Sequence, residues 1–384
     1  MPKNRKDSKG RCLRKGESVR KSTDGYQYTY LDRFGKRKYI YDTKEYLSKK
    51  AVNESGIKII PANTVIMSFK LSIGKTAITA EDMYSNEAIM AFHDKHIVEI
   101  IPEYIFYLFK YKNWDDGSNK AVMGKTLNKA ILSEVEIDIC SIEEQRKIVN
   151  VLDKIMNLIS ARKKELSYLD TFTKARFVEM FGDPVINSKN LPVVTLGELS
   201  ELITKGASPC WQGFSYTDDS SQTLFITSEN IREGYIDLSS PKYIEDGFNE
   251  KQRRSVIRKG DFLINIVGAS IGRAAQFNLD CKANMNQAAA LVRVKDNRIK
   301  NKYLLIYLNS DRAKHMYDSM KSDTGRANLS LQDISDLNIL LPAVDKQIEF
   351  ENFVAQVDKS KSAVKKALDE TQLLFDSLMQ EYFG

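Results

Sequence analysis

The chain has little of what covalent, metal-dependent or membrane-bound proteins require. Its four cysteines, Cys12, Cys140, Cys210 and Cys281, lie far apart with no CxxC or Cys/His cluster. Neither a zinc site nor a disulfide framework is indicated, and a reducing compartment fits. The only histidines are His93, His96 and His315, and nothing around them marks a catalytic triad. No apolar run approaches the ~18 residues of a membrane span, and the opening MPKNRKDSKG has charge without the apolar core of a signal peptide. The expectation is a cytoplasmic protein with no membrane contact, metal, cofactor or catalytic residue of its own.

Two short motifs look enzymatic and fail on inspection. Gly268-x-Ser270-x-Gly272 has the spacing of a hydrolase nucleophile elbow. A second copy of that stretch, Ser72-Ile73-Gly74-Lys75 against Ser270-Ile271-Gly272-Arg273 (270 − 72 = 198), has Lys70 in place of the first glycine. What the copies share is a serine, an apolar residue, a glycine and a cation after an apolar run, which describes a tight turn offering positive charge to an anion. Gly74-Lys75-Thr76 ends like a phosphate loop, but the glycine needed five positions earlier is Phe69.

What is present is size, a basic end and a duplication. The 384 residues, 42% of them hydrophobic, suffice for two or three packed domains. Residues 1–41 hold 13 Lys and Arg against 4 Asp and Glu, so of the net +7 this stretch supplies +9 and the remainder −2. Tyr26, Tyr28 and Tyr30 alternate before Phe34-Gly35, and Tyr39 and Tyr41 after it, a hairpin pattern with Arg33, Lys36, Arg37 and Lys38 at its turn. Such a sheet could reach phosphates and base edges. The blocks RKDSKGR, LRKGESVRK and YLDRFGKRKYIY resemble the arm-site DNA-binding domain that opens the tyrosine integrases of conjugative transposons, over residues 3–41. That resemblance implies a three-stranded sheet in the major groove. Nothing after residue 41 resembles an integrase catalytic domain.

The duplication runs on past the turn. Asn86-Glu87-Ala88 matches Asn286-Gln287-Ala288 (offset 200), PEYIFYLFKY resembles NKYLLIYLNS, and from Ile142-Glu-Glu-Gln145 over Val344-Asp-Lys-Gln347 to Phe181-Gly182 over Phe383-Gly384 the offset stays at 202. Such a long repeat means duplicated domains, since solenoid units run ~20 to 50 residues. Each copy closes on a long helix. After the capping box Ser141-Ile-Glu-Glu144, Ile148, Leu152, Ile155, Ile159, Leu166 and Leu169 form an apolar stripe. In the second copy Ala343 replaces the capping serine, and Val354, Val357, Val364, Leu368, Thr371, Leu374 and Leu378 form the stripe. A helix of roughly forty residues is ~60 Å long, and two copies would bury their stripes best against each other. Tyr104, Phe106, Tyr107 and Phe109 are read as core rather than base-stacking platforms.

ICSIEEQRKIVNVLDKIMNLISARKKELSYLDTFTKARFVEMFGD and LPAVDKQIEFENFVAQVDKSKSAVKKALDETQLLFDSLMQEYFG resemble the closing helices of the specificity subunit of type I restriction-modification systems, a likeness that covers about residues 46–384. The resemblance implies an α+β fold: β-rich target-recognition domains joined by two long helices in an antiparallel coiled coil, here with a small N-terminal three-stranded sheet. The corresponding parts are residues 1–45, a recognition domain at 46–140, a helix at 141–182, a second recognition domain at 191–341 and a helix at 342–384. It further implies a non-catalytic subunit that reads a two-part target in double-stranded DNA and docks two methylation subunits and, through them, the restriction and translocase subunits. In agreement, the chain lacks a glycine-rich S-adenosylmethionine loop, an Asn/Asp-Pro-Pro-aromatic motif and a phosphate loop.

The candidate DNA contacts are Tyr28, Arg33, Lys36, Arg37 and Lys38 in the N-terminal stretch and Lys70, Ser72 and Lys75 in the first copy. In the second copy they are Lys205, Gln212, Arg253, Arg254, Ser270, Arg273, Lys321 and Arg326. Cations and amides lie there in turn-like segments beside glycine and serine. The first copy departs from the family pattern, with the counterpart of residues 193 to about 240 missing and the integrase-like stretch in its place. An alternative is a DNA-binding accessory protein of a mobile element, acting through the N-terminal stretch.

Overall fold

Helices Ile142–Phe181 and Val344–Phe383 each run 40 residues without a break. The first starts where the Ser141 hydroxyl accepts the Glu144 N–H at 3.3 Å, and Glu143 and Glu144 set negative charge at its positive end. It stops at Gly182, whose φ of +81° is open to glycine at little cost. These elements come from a computed structural model, which describes residues 25–28, 38–43, 45–69, 73–114, 119–121, 124–126, 132–319 and 328–384. The chain divides into two compact units, Met1–Lys163 with Lys366–Gly384, and Lys164–Lys365.

In the second unit, strands Ser200–Lys205, Ala289–Val294, Phe262–Asn265 and Ala274–Gln276 form one antiparallel sheet in that order. A second sheet runs Tyr216–Thr217, Tyr243–Ile244, Thr223–Ile226 and Ala283–Met285, its last pair parallel. Val193–Thr195 pairs with Asn338–Leu340, so the first and last strands of the copy close it. Phe262–Asn265 and Thr223–Ile226 are buried at every position, as strands covered on both faces must be. Helix Asn301–Leu308 then joins the sheet to the long helices: Tyr303 stacks on Phe177 at 5.5 Å, and Phe181 and Phe350 meet edge to face at 5.3 Å. Arg176 bridges to Glu349, and Lys361 to Asp170.

The first unit repeats part of this plan. Its sheet runs Tyr39–Ile40, Thr76–Thr79, Val65–Ser68 and Ile89–Phe92, and the last three are the counterparts of Ala274–Gln276, Phe262–Asn265 and Ala289–Val294 in the same order. Nothing among its described residues corresponds to the other four-stranded sheet. Helix Pro102–Tyr111 buries Tyr104, Phe106, Tyr107 and Phe109, confirming them as core. They share a cluster with Ile148, Leu152, Ile155 and Ile159 of one long helix and with Phe375 and Met379 of the other. The apolar stripe therefore needs one correction. Leu374 is exposed, and its neighbour Phe375 turns inward because Tyr107 offers it a ring contact at 6.3 Å.

The hairpin expected about Phe34-Gly35 also needs correction where it is described. Gly25–Tyr28 pairs antiparallel with Glu45–Ser48, and Tyr39–Ile40 leaves it to lie parallel to Ile78 and Thr79. The reason is burial: Ile40 enters a cluster with Ile66, Ala77 and Ile89, which a free hairpin could not supply.

One polar contact recurs in both copies and fixes each head to its helix. Gln145, fully buried, accepts the Ile101 N–H at 2.9 Å and donates to the carbonyls of Glu99 and Cys140 at 3.0 and 2.9 Å. Gln347, equally buried, accepts the Lys300 N–H and donates to the carbonyls of Arg298 and Pro342, each at 2.8 Å. One side chain thus satisfies three backbone groups in the loops before the short and long helices.

Buried tyrosines make the fold sensitive to alkali. Burial, then hydrogen bonding with Cys140, pushes the Tyr104 hydroxyl up to about 12, and burial likewise raises Tyr303 and Tyr317. A pKa raised in the folded state gives stability that is complete below the unfolded value near 10 and is lost as pH climbs above it, by up to about 1.4 kcal/mol per pH unit for each such tyrosine. Thermal unfolding followed by circular dichroism should show a midpoint steady to about pH 10 and falling above it, with a shallower fall in Tyr104→Phe.

Candidate nucleic-acid interface

In each copy a buried strand is followed by a glycine of positive φ and then a cation. In the second, Phe262–Asn265 leads into Gly268, Ser270 and Gly272, and Gly272 has φ +85°, with the fully buried Tyr317 ring against its Cα. In the first, Gly74 has φ +83° against Trp114. The segments that follow match as well: Asn86 Oδ1 accepts the Ala88 N–H at 3.0 Å, and Asn286 Oδ1 accepts the Ala288 N–H at 3.1 Å. A glycine of positive φ followed by a cation therefore appears twice, as Gly74-Lys75 and as Gly272-Arg273.

The second turn carries no hydrolase chemistry. The Ser270 hydroxyl accepts a hydrogen bond from Asn265 Nδ2 at 3.1 Å, and an amide cannot take its proton. Among the described residues no cluster of three or more His, Cys, Asp or Glu could hold a metal, and no helix is long and apolar enough to cross a membrane. Cys140, Cys210 and Cys281 are free thiols.

Two groups of candidates form in the second unit. Around Arg273, a shallow cavity of about 430 Å³ is lined by Arg232, Glu233, Tyr235, Asp237 and Arg273. Arg232 is tied to Asp237 through Nε at 3.2 Å and Nη2 at 3.1 Å. The backbone N–H and hydroxyl of Ser239, then Arg232, hold the Asp237 carboxyl below the usual carboxylate range. The half-buried Arg273 guanidinium has no such partner among the described residues. Asn265 Oδ1, buried below this turn, is likewise unpartnered. An unpaired guanidinium lining a shallow hollow is suited to a guanine edge or a phosphate.

The other group surrounds Gln212. Its side-chain oxygen accepts from Gln252 Nε2 at 3.1 Å and its carbonyl accepts from Lys251 Nζ at 2.8 Å, which places it beside the exposed Arg253 and Arg254. Lys205 is exposed at the end of its strand, as is Lys75 in the first unit.

Lys38 is a correction. Its side chain is 13% exposed and its ammonium sits between both carboxylate oxygens of Asp153, at 2.6 and 2.8 Å, over the Tyr107 ring, which is hydrogen-bonded to the same carboxylate. A cation so paired is not offered to DNA, and it fastens its segment to the first long helix. Arg33, Lys36, Arg37, Lys70, Ser72, Lys321 and Arg326 lie outside the described residues, as does the side chain of Tyr28. Sequence reasoning missed Arg232 and Tyr235, whose signal was the cation, glycine and aromatic packed into IREGY.

Comparison with known proteins draws these features together. The family described as type I restriction modification DNA specificity domain matches residues 8–168 and 189–371, one match to each copy, the first taking in most of the basic stretch. The type I restriction enzyme MjaIX specificity subunit of Methanocaldococcus jannaschii is 31% identical over 189 residues, 48% of this chain and 41% of that protein. The EcoBI specificity subunit of Escherichia coli is 23% identical over 294 residues, 70% and 62% of the two chains. The chain thus spans about two fifths and three fifths of these relatives' lengths. A solved structure described as the basis of complex assembly and conformational transition of the type I R-M system has the same fold, with a TM-score of 0.56 and 19% identity over 85% of this chain and 83% of that one. With both copies matched over most of their length, the chain belongs to the type I restriction-modification DNA specificity family.

Proposed function

We propose that the chain is the non-catalytic specificity subunit of a type I restriction-modification complex, reading a two-part sequence in double-stranded DNA. The observation that carries this is the duplication of a β-rich head clasped by a buried glutamine to a 40-residue helix. Each head reads one part of the target. The helices pair antiparallel as a coiled coil and set the unread spacer, a reading supported by the shared cores of Phe177 with Phe350 and of Ile155 with Phe375. They dock two methylation subunits and, through them, the restriction and translocase subunits, in the cytoplasm where the DNA lies. The basic N-terminal stretch, with its integrase-like pattern, adds phosphate contacts to the first head.

The test is to co-express the chain with its methylation subunit and sequence the methylated adenines of the host. A two-part motif with a fixed gap is expected. Arg273→Ala should relax one position in one part, at a cost of about 1 to 3 kcal/mol of discrimination. Scattered or absent methylation, with no co-purification of the methylation subunit, would overturn this reading.

A further inference from the structure

Among the described residues, Trp211 is the most exposed large apolar side chain of the protein, at 88%. It stands on the one-turn helix Pro209–Gln212, whose two ends are tied to the rest of the head. At its base Gly206 runs so close to Met285 that an added Cβ would lie 1.9 Å from that residue's carbonyl oxygen. Pro209 is buried, and after the αL residue Gly213 the Phe214 ring packs edge to face on Phe248 at 5.6 Å. On the far side, Lys251 and Gln252 hold the carbonyl and side chain of Gln212. The backbone that carries this indole is held in place, while the ring itself touches little of its own protein and is open to a partner.

The charge around it identifies that partner. Residues 205–216, KGASPCWQGFSY, contain one cation and no acid. Residues 250–259, EKQRRSVIRK, contain five cations, Lys251, Arg253, Arg254, Arg258 and Lys259, against the single acid Glu250. Arg254 is exposed and has no ion-pair partner among the described residues, and Arg253 donates only to the Glu250 carbonyl, at 3.1 Å. Lys259 is paired with Asp280, which leaves Arg253 and Arg254, among the described residues, as the cations free of ion pairs next to the Gln212 anchor. A flat apolar ring beside them suits the duplex, where cations take the phosphates and the ring meets a thymine methyl or wedges at a base step.

We propose that Trp211 is a specificity-determining DNA contact of the second head, inserted into the groove while Arg253 and Arg254 hold the flanking backbone. This rests on the DNA-recognition reading above. The test compares wild type, Trp211→Ala and Trp211→Phe, each as the full chain co-expressed with its methylation subunit, by sequencing methylated adenines. Trp211→Ala should blur one or two adjacent base pairs in one part of the motif and lower methylation of the parent motif about tenfold. The other part and the gap should be unchanged, and Trp211→Phe should retain the parent motif. The same motif at the same occupancy in Trp211→Ala overturns the inference. So does loss of methylation together with loss of co-purification, which would make the indole a protein-docking residue. If wild type itself gives no two-part motif, the proposed function fails and the inference with it.

Discussion

Gln347→Ala is expected to lower the stability of residues 164–365 by about 3 kcal/mol, read as a shift in the urea midpoint by circular dichroism. The side chain is wholly buried and its three hydrogen bonds, all at 2.8 Å, end on backbone groups of Lys300, Arg298 and Pro342. Truncation leaves those groups without a partner where water enters poorly, and each unsatisfied buried group costs about 1 to 3 kcal/mol. It also removes the attachment between helix Asn301–Leu308 and the first turn of the long helix. Gln145→Ala should act in the same direction on the first unit through Ile101, Glu99 and Cys140. The exposed Lys359→Ala on the same helix is the control and should stay within about 0.5 kcal/mol of wild type. A midpoint for Gln347→Ala matching that control would remove the glutamine from any structural role.

Gly272→Ala should cost more than a left-handed backbone alone demands. A side chain at φ +85° costs roughly 1 to 2 kcal/mol by itself. Here the new Cβ would also lie 2.3 Å from Cδ2 of Tyr317, a ring that is 1% exposed and has nowhere to retreat. Gly268, two residues before Ser270 in the same turn, has φ +83° and nothing within 4 Å of a Cβ, so Gly268→Ala isolates the backbone cost. The expected order of melting temperatures, highest first, is wild type, Gly268→Ala, then Gly272→Ala, with the last less stable than Gly268→Ala by about 1 to 3 kcal/mol, the cost of overpacking a fixed core. Gly74→Ala should resemble Gly272→Ala in milder form, since Trp114 Cδ1 stands 2.8 Å away. Equal melting temperatures for the two variants of the second turn would show that Tyr317 yields.

What the sequence made legible is what repeats. Ser72-Ile-Gly74 over Ser270-Ile-Gly272, Asn86 over Asn286 and Gln145 over Gln347 could be aligned because a residue needed for a backbone reason tolerates no substitute in either copy. Glycine supplies the positive φ, asparagine closes its own turn, and glutamine serves as donor and acceptor at once. The helix lengths were legible for a similar reason, being set by apolar spacing and by the glycines that stop them. Pairing across the chain was not. Nothing local to Lys38 tells of Asp153, 115 positions later, and the alternation of Tyr26, Tyr28, Tyr39 and Tyr41 fits a hairpin as well as two strands with other partners. Leu374 and Phe375 are equally apolar, and only the place of Tyr107 decides which faces in. The exposure of Trp211 was hidden too, because tryptophan in a sequence reads as core.

The two indoles of this chain occupy opposite surroundings. Trp114 is 9% exposed, packed at 5.3 Å on Phe109 and donating to that residue's carbonyl at 2.8 Å, whereas Trp211 stands in water. The first should emit in the blue and resist acrylamide; the second should emit in the red and be quenched readily. Since Trp114 belongs to one compact unit and Trp211 to the other, a single fluorescence spectrum carries a separate optical record of each half of the molecule, with no label added.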